Sequence, residues 1–168
     1  MPTISKESID EALKQWAGRI TANSPAGDKL AVVGLISHGD VLAQRLITLL
    51  KESGVEALYG ALDISLYRDD FDMLSHKPAL RASYLPFSTD GMRIILVDDV
   101  IDTGRTVRAA LNALFEYGRP AQVELYTLVD RGGRELPIHP DVASFTTPID
   151  ANVKVHLQEI DGTDDICY

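Results

Sequence analysis

The sequence predicts an α/β fold in which a central, mainly parallel sheet is flanked by helices. Two observations carry that expectation. Apolar runs of strand length recur that are too continuous for a strand with one wet face, and segments with apolar residues at helical spacing alternate with them. Strands alternating with helices build parallel sheets covered on both faces. The 168 residues contain no internal repeat, low-complexity tract or linker. The chain therefore reads as one domain, 1–168, long enough to bury a single core.

The first element is an amphipathic helix over residues 5–23. Ile9, Leu13, Trp16 and Ile20 recur at helical spacing, Ser5 suits the N-cap, and Ser24, Pro25 and Gly27 stop it. Trp16 packs this helix down. Residues 30–36 form a nearly continuous apolar strand, and Ser37-His38-Gly39-Asp40 follow as a turn. Val41, Leu42, Arg45, Leu46, Leu49 and Leu50 make a second helix that ends near Gly54. Residues 57–63 read as another strand. From 67 to 90 the pattern breaks into charges, prolines and scattered apolar residues, and a loop-like stretch of that length in a compact domain commonly works as a lid.

Residues 93–98 are a short apolar strand. A turn and a helix follow, with Val107, Ala110, Leu111, Leu114 and Phe115 on one side and Gly118 at the C-cap position. Residues 122–129 form the next strand, and two shorter candidates lie around 143–146 and 153–158. In such sheets ligands bind beyond the carboxyl ends of the strands, so those ends are where chemistry is sought.

Composition narrows the classes. No apolar run approaches the roughly 18 residues needed to span a bilayer. The first residues have neither the basic segment nor the apolar stretch of a secretory signal. The single cysteine, Cys167, cannot form an internal disulfide, so a cytoplasmic location is expected. A net charge of −9 argues against nonspecific nucleic-acid binding, and RNA binding would need a local basic patch working against that field. His76, His139 and His156 lie apart, without metal-ligand spacing.

The most informative segment runs from Ile94 to Arg108. An apolar strand ends in adjacent carboxylates, Asp98 and Asp99, and the short loop Asp102-Thr103-Gly104-Arg105-Thr106 leads straight into a helix. The loop has what a phosphate monoester needs: a glycine allowing close backbone approach, two hydroxyls, and amides at a helix N-terminus. The carboxylates suit a neighbouring group that donates hydrogen bonds, such as a sugar diol. Phosphate beside diol describes ribose 5-phosphate. An acidic turn with Thr103 as helix cap is the plainer alternative. The loop is neither a Walker A loop nor a dinucleotide turn.

This strand, acidic pair and Thr-Gly loop resemble the 5-phosphoribosyl-1-pyrophosphate (PRPP) signature of the type I phosphoribosyltransferases. Three further segments narrow the resemblance: residues 61–70 with Leu66-Tyr67-Arg68-Asp69-Asp70, residues 117–120, and residues 128–138 with Asp130-Arg131-Gly132-Gly133-Arg134-Glu135-Leu136-Pro137. Together with residues 34–46 they are similar to the PyrR family of uracil phosphoribosyltransferases and pyrimidine-operon regulators. The resemblance covers nearly the whole chain and implies the type I fold with a flexible hood, here residues 67–90.

It also implies roles. Asp98 and Asp99 hold the ribose hydroxyls and stabilise an oxocarbenium-like state, and Asp102 joins them as a catalytic candidate. Thr103, Gly104, Arg105 and Thr106 hold the 5-phosphate. Ser37, His38 and Gly39 face the pyrophosphate, with Mg²⁺ as cofactor. Asp130 reaches the metal through water, and Asp63 is either a second metal ligand or a turn former. Arg68 contacts pyrophosphate from the hood or, alternatively, pairs with Asp69 or Asp72. Val129, Asp130 and Arg131 read the base, largely through backbone groups. Lys14, Arg19 and Arg134 form the candidate RNA contacts. The expected partners are PRPP, uracil, UMP, pyrimidine-leader mRNA and further copies of the chain.

Departures from the family pattern matter. Ser37-His38-Gly39 stands where Thr-Arg-Gly is frequent, which exchanges a permanent cation for a titratable one, and Asp40 most simply caps the following helix. Gly133 replaces a common histidine, and Thr146-Thr147-Pro148-Ile149 differs from the usual Ile-Pro-Thr-Ser. Asp102 occupies a position where purine-specific relatives carry a base-activating aspartate and PyrR proteins commonly a tyrosine. The functions implied are therefore a uracil phosphoribosyltransferase with a UMP-responsive RNA-binding role, or alternatively an RNA-binding attenuator with little catalysis, or a purine-base transferase.

Overall fold

The computed structural model describes residues 1–69 and 82–168. In chain order the elements are β1 (Thr3–Ser5), α1 (Lys6–Ala22), β2 (Leu30–Leu35), α2 (Gly39–Glu52), β3 (Leu58–Leu62), a 3-10 turn (Ser65–Tyr67), β4 (Arg93–Ile101), α3 (Arg105–Phe115), β5 (Gln122–Asp130), β6 (Val142–Thr146), β7 (Lys154–His156), α4 (Gln158–Asp161) and β8 (Asp165–Cys167). Ser5 caps α1 as expected, its hydroxyl accepting from the Ser8 amide.

Five strands form a wholly parallel sheet in the order β3-β2-β4-β5-β6. Successive residues of a strand face opposite sides, and the continuous apolar runs supply both. Val32, Ile95 and Val97 meet α1 and α2 through Leu13, Trp16, Leu42 and Leu46. Ala31, Val33, Ile94 and Leu96 meet α3 through Val107, Ala110 and Leu114. Trp16 is buried edge-on to Tyr126, with centroids 5.7 Å apart, and its indole N–H donates to Ser144 Oγ at 2.9 Å. The strand order reverses between β2 and β4, where a parallel sheet opens a crevice past its strand ends.

Several boundaries differ from the sequence-based expectation. β4 runs on to Ile101 because its ladder to β5 continues through Val100–Val129 and Ile101–Asp130. The acidic pair thus lies within the strand's last stretch and not past its end. Asp40 is a first-turn residue of α2 and makes no cap hydrogen bond; the cap position is His38. Its charge still suits a helix N-terminus. Helix α3 ends at Phe115, itself half exposed, and Gly118 forms a later turn at φ 139° against Thr89 and Asp90.

Residues 154–156 do form a strand, but outside the central sheet. They pair with β8, which pairs with β1, in a separate three-stranded antiparallel sheet whose Val155 and Ile166, with the following Leu157, join the α1 side of the core. Arg45 of α2 grips this region, donating to Glu159 at 2.9 Å and Asp164 at 2.6 Å. Of the expected hood, residues 70–81 lie outside the described residues. Its returning limb reaches β3, where Tyr84 and Ala61 exchange backbone hydrogen bonds at 2.7 Å. Among the described residues no helix is long and apolar enough to cross a membrane.

Candidate active site

The crevice at the β2–β4 reversal is bounded by two turns. The first, Ser37-His38-Gly39, links β2 to α2. Gly39 is buried with its Cα against β4: a Cβ there would stand 2.5 Å from the Val97 carbonyl oxygen. This close approach brings the turn beside the acidic pair. His38 has φ 72°, and its ring lies between carboxylates from two other elements. Nδ1 is 4.0 Å from Asp99 Oδ2, and Nε2 is 3.0 Å from Asp161 Oδ2. Ser37 Oγ is 3.4 Å from Nδ1.

Asp98 and Asp99 occupy the crevice wall. Asp98 is buried, 6% exposed, and lines a cavity of about 340 Å³; Asp99 keeps 23% of its side chain exposed. Asp98 Oδ1 accepts from the Asp99 amide at 2.9 Å, and Asp99 Oδ1 from the Val100 amide at 2.8 Å. These bonds orient the carboxylates without neutralising them. Burial and the adjacent Asp99 charge push the Asp98 carboxyl well above its ordinary value. Burial raises Asp99 too, against the opposing pull of His38. A pair held like this gains when a cationic or hydrogen-donating group enters.

Across the cavity lies the second turn, with Asp102, Thr103, Gly104 and Thr106 in its lining. Gly104 adopts φ 91°, a left-handed conformation suited to glycine, and starts α3. Thr103 Oγ1 accepts from the Arg105 amide at 3.2 Å, while its carbonyl accepts from the Glu135 amide at 2.9 Å. Arg105 turns outward and meets Asp69 at 2.7 Å and Glu135 at 3.6 Å, tying the loop to the start of the expected hood.

The remaining wall comes from the segment after β5. Asp130 accepts from Arg134 at 2.7 Å and from the Gly132 amide at 2.8 Å. Its partial burial favours the neutral acid, but the Arg134 and Gly132 hydrogen bonds win and hold it below the ordinary carboxylate value. Arg131 donates to Asp102 Oδ2 at 3.1 Å and lines the cavity beside Val153. The backbone here is largely committed: Arg131 N–H donates to the Ile101 carbonyl, and the Asp130 carbonyl accepts from Thr147. Val129 is buried inside β5. In this part of the cavity lining the charged side chains are Asp102 and Arg131.

Other candidates lie around this centre. Asp63 Oδ1 accepts from the Ser65 amide and hydroxyl at 2.9 and 2.6 Å, the geometry of a turn former. Arg68 is exposed on extended backbone after the 3-10 turn. Asp69, one alternative partner proposed for it, accepts from Arg105. Lys14 and Arg19 are both exposed on α1, whereas Arg134 turns inward to Asp130 and the carbonyls of Asp102 and Ile138.

Sequence spacing missed two cross-chain associations. Asp161 reaches His38 across 123 positions. His156, Asp165 and Cys167 come together on β7 and β8, their ligand atoms within 4.8 Å of one another. There the Asp165 carboxylate already accepts from both neighbours, at 2.7 and 3.4 Å. Neither association has a local sequence signal, since each depends on how the C-terminal strands dock.

A parallel sheet with an acidic pair and a glycine turn flanking one crevice defines a class. Residues 5–160 match the phosphoribosyl transferase domain family, and the chain carries that domain. The hypoxanthine phosphoribosyltransferase of Trypanosoma cruzi shares the fold at a TM-score of 0.71 with 21% identity, covering 96% of this chain and 91% of that one. One from Staphylococcus aureus gives 0.70 with 17% identity, over 93% and 84%. Much nearer in sequence is the bifunctional protein PyrR of Akkermansia muciniphila, 57% identical over 94% of this chain and 89% of that protein. The PyrR of Deinococcus radiodurans is 46% identical over 96% and 90%. The chain belongs to the PyrR family.

Proposed function

We propose that this protein transfers the 5-phosphoribosyl group of PRPP to uracil, releasing pyrophosphate and forming UMP, and that the same site reports UMP to an RNA-binding surface. The observation that carries the reading is the cavity that the buried Asp98 carboxylate lines together with Thr103, Gly104 and Thr106 of the following turn. In the transfer, the bond from C1 to the pyrophosphate oxygen breaks and the uracil N1–C1 bond forms. Asp98 and Asp99 accept from the ribose hydroxyls and favour positive charge at the sugar ring. Asp102 is the acceptor we assign to the N1 proton, with Arg131 holding its carboxylate.

Mg²⁺ fits the donor set. The available ligands are hard carboxylate oxygens, and both oxygens of Asp130 are engaged by Arg134 and Gly132, which suits contact through water and not direct ligation. When bound, the ion neutralises phosphate charge. Arg68, at the start of the expected hood, is assigned to contacting the pyrophosphate.

A steady-state assay with uracil, hypoxanthine and orotate tests the chemistry. UMP is expected from uracil in the presence of magnesium, with turnover lost on chelation; preferential conversion of hypoxanthine would replace this reading with the purine one. The regulatory half rests on Lys14 and Arg19, a thin basic set against a net charge of −9. A gel shift with pyrimidine-leader RNA should strengthen with UMP and fade steeply with added salt. No shift at low salt removes the RNA role.

A further inference from the structure

Asp161, a carboxylate beside the Ser37–Gly39 turn, has no role in the reaction proposed above. Asp161 sits in α4, far along the chain, yet its Oδ2 accepts from the Leu157 amide at 2.8 Å and lies 3.0 Å from His38 Nε2. The Leu157 bond fixes the carboxylate, and α4 is itself fixed by Arg45, which bonds to Glu159 and Asp164 on either side of Asp161. The ring it touches belongs to the pyrophosphate turn. A histidine on a turn can rotate and present either edge. This one is held by its far edge, so that Nδ1 faces Ser37 and Asp99.

We propose that Asp161 is a positioning residue for pyrophosphate: by accepting the Nε2 hydrogen of His38 it aims the Nδ1 edge at the anion held on the Ser37–Gly39 turn. The proposal rests on the phosphoribosyl-transfer reading and adds a C-terminal residue to its site. His38 then does the work of a fixed cation while it carries both ring protons, with Nε2–H directed to Asp161 and Nδ1–H to the anion. The charged or titratable groups facing it among the described residues are Asp161 from α4 and Asp99 from β4. Hydrogen bonds from the Leu157 amide and from His38 hold the Asp161 carboxyl below its ordinary value, so it remains the accepting anion across the neutral range.

The test compares the full-length wild type with Asp161→Asn, Asp161→Glu, His38→Gln and the His38→Gln/Asp161→Asn double variant. Calorimetry reads binding of magnesium pyrophosphate, and steady-state kinetics read KM for PRPP and for uracil. Losing one charge-assisted hydrogen bond predicts about tenfold weaker pyrophosphate binding and a similar rise in KM for PRPP in Asp161→Asn. The KM for uracil stays unchanged, and Asp161→Glu recovers part of the loss. In the His38→Gln background, Asp161→Asn has no further effect.

Equal pyrophosphate affinity in wild type and Asp161→Asn overturns the proposal. So does an undiminished Asp161→Asn effect in the His38→Gln background, which would mark a structural role only. A wild type that binds no pyrophosphate overturns it as well. A wild type that binds pyrophosphate but makes no UMP sinks the uracil reading alone, and the affinity comparison still decides the role of Asp161.

Discussion

Asp99→Asn lowers kcat/KM for PRPP by about 10²–10³-fold, the size of effect seen when one preorganised electrostatic partner of a transition state is removed. Asp98→Asn lowers it similarly and also raises the melting temperature. The two effects share one cause. Asp98 is buried beside a second carboxylate, and the hydrogen bond it accepts comes from the backbone amide of its neighbour, not from a cation. Asparagine keeps an oxygen for that amide and removes the buried charge. Substitutions that relieve strain of this kind at active sites gain about 0.5–2 kcal/mol of stability while losing function.

The sign with pH follows from the raised carboxyls. Between the ordinary aspartate value and the raised folded-state value, the folded protein binds more protons than the unfolded chain, so wild-type stability falls as pH rises through that window. The Asp98→Asn advantage is therefore full above the window and shrinks in acid. Thermal melts at neutral and acid pH, paired with initial rates, check both parts. A variant that is destabilised at neutral pH would mean that the pair is structural.

Gly34→Ala destabilises the fold by about 3 kcal/mol, at the upper end of ordinary overpacking. In a domain of this size that lowers the melting temperature by about 6–12 °C. A Cβ on Gly34 would stand 2.3 Å from the Gly39 carbonyl oxygen, 2.4 Å from Asp40 Cα and 2.6 Å from Asp40 N. All three are backbone atoms at the start of α2, so no side chain can swing aside. Relief requires moving the helix start, and Gly39 on that start already packs against the Val97 carbonyl. The substitution therefore separates the pyrophosphate turn from the acidic pair, and affinity for PRPP falls along with stability. Urea unfolding and PRPP titration measure the two losses; an unchanged unfolding midpoint would disprove the close-approach argument.

Much of this protein was legible in its sequence because the signals are local. Residues 30–35 and 94–97 are apolar on both sides of the strand, so their burial in a sheet covered on both faces follows from the hydrophobic effect alone. The Asp98–Thr106 segment carries its carboxylates, glycine and hydroxyls within nine consecutive positions, so its chemistry needed no fold to be read. The edges of elements were harder. β4 continues to Ile101 because a neighbouring strand offers partners that far, and no residue within β4 announces this.

The C-terminal quarter shows the other limit. β1, β7 and β8 have three residues each, too few for a periodic pattern, and are strands only because they pair with one another and bury Val155 and Ile166 on α1. Their docking brings Asp161 to His38. By itself the sequence determined which groups are present: a glycine turn with two hydroxyls, an adjacent acidic pair and the sheet that carries them. Only the tertiary structure decided which charges face one another, because contacts between residues far apart in the chain are set by packing, not by the pattern of neighbours.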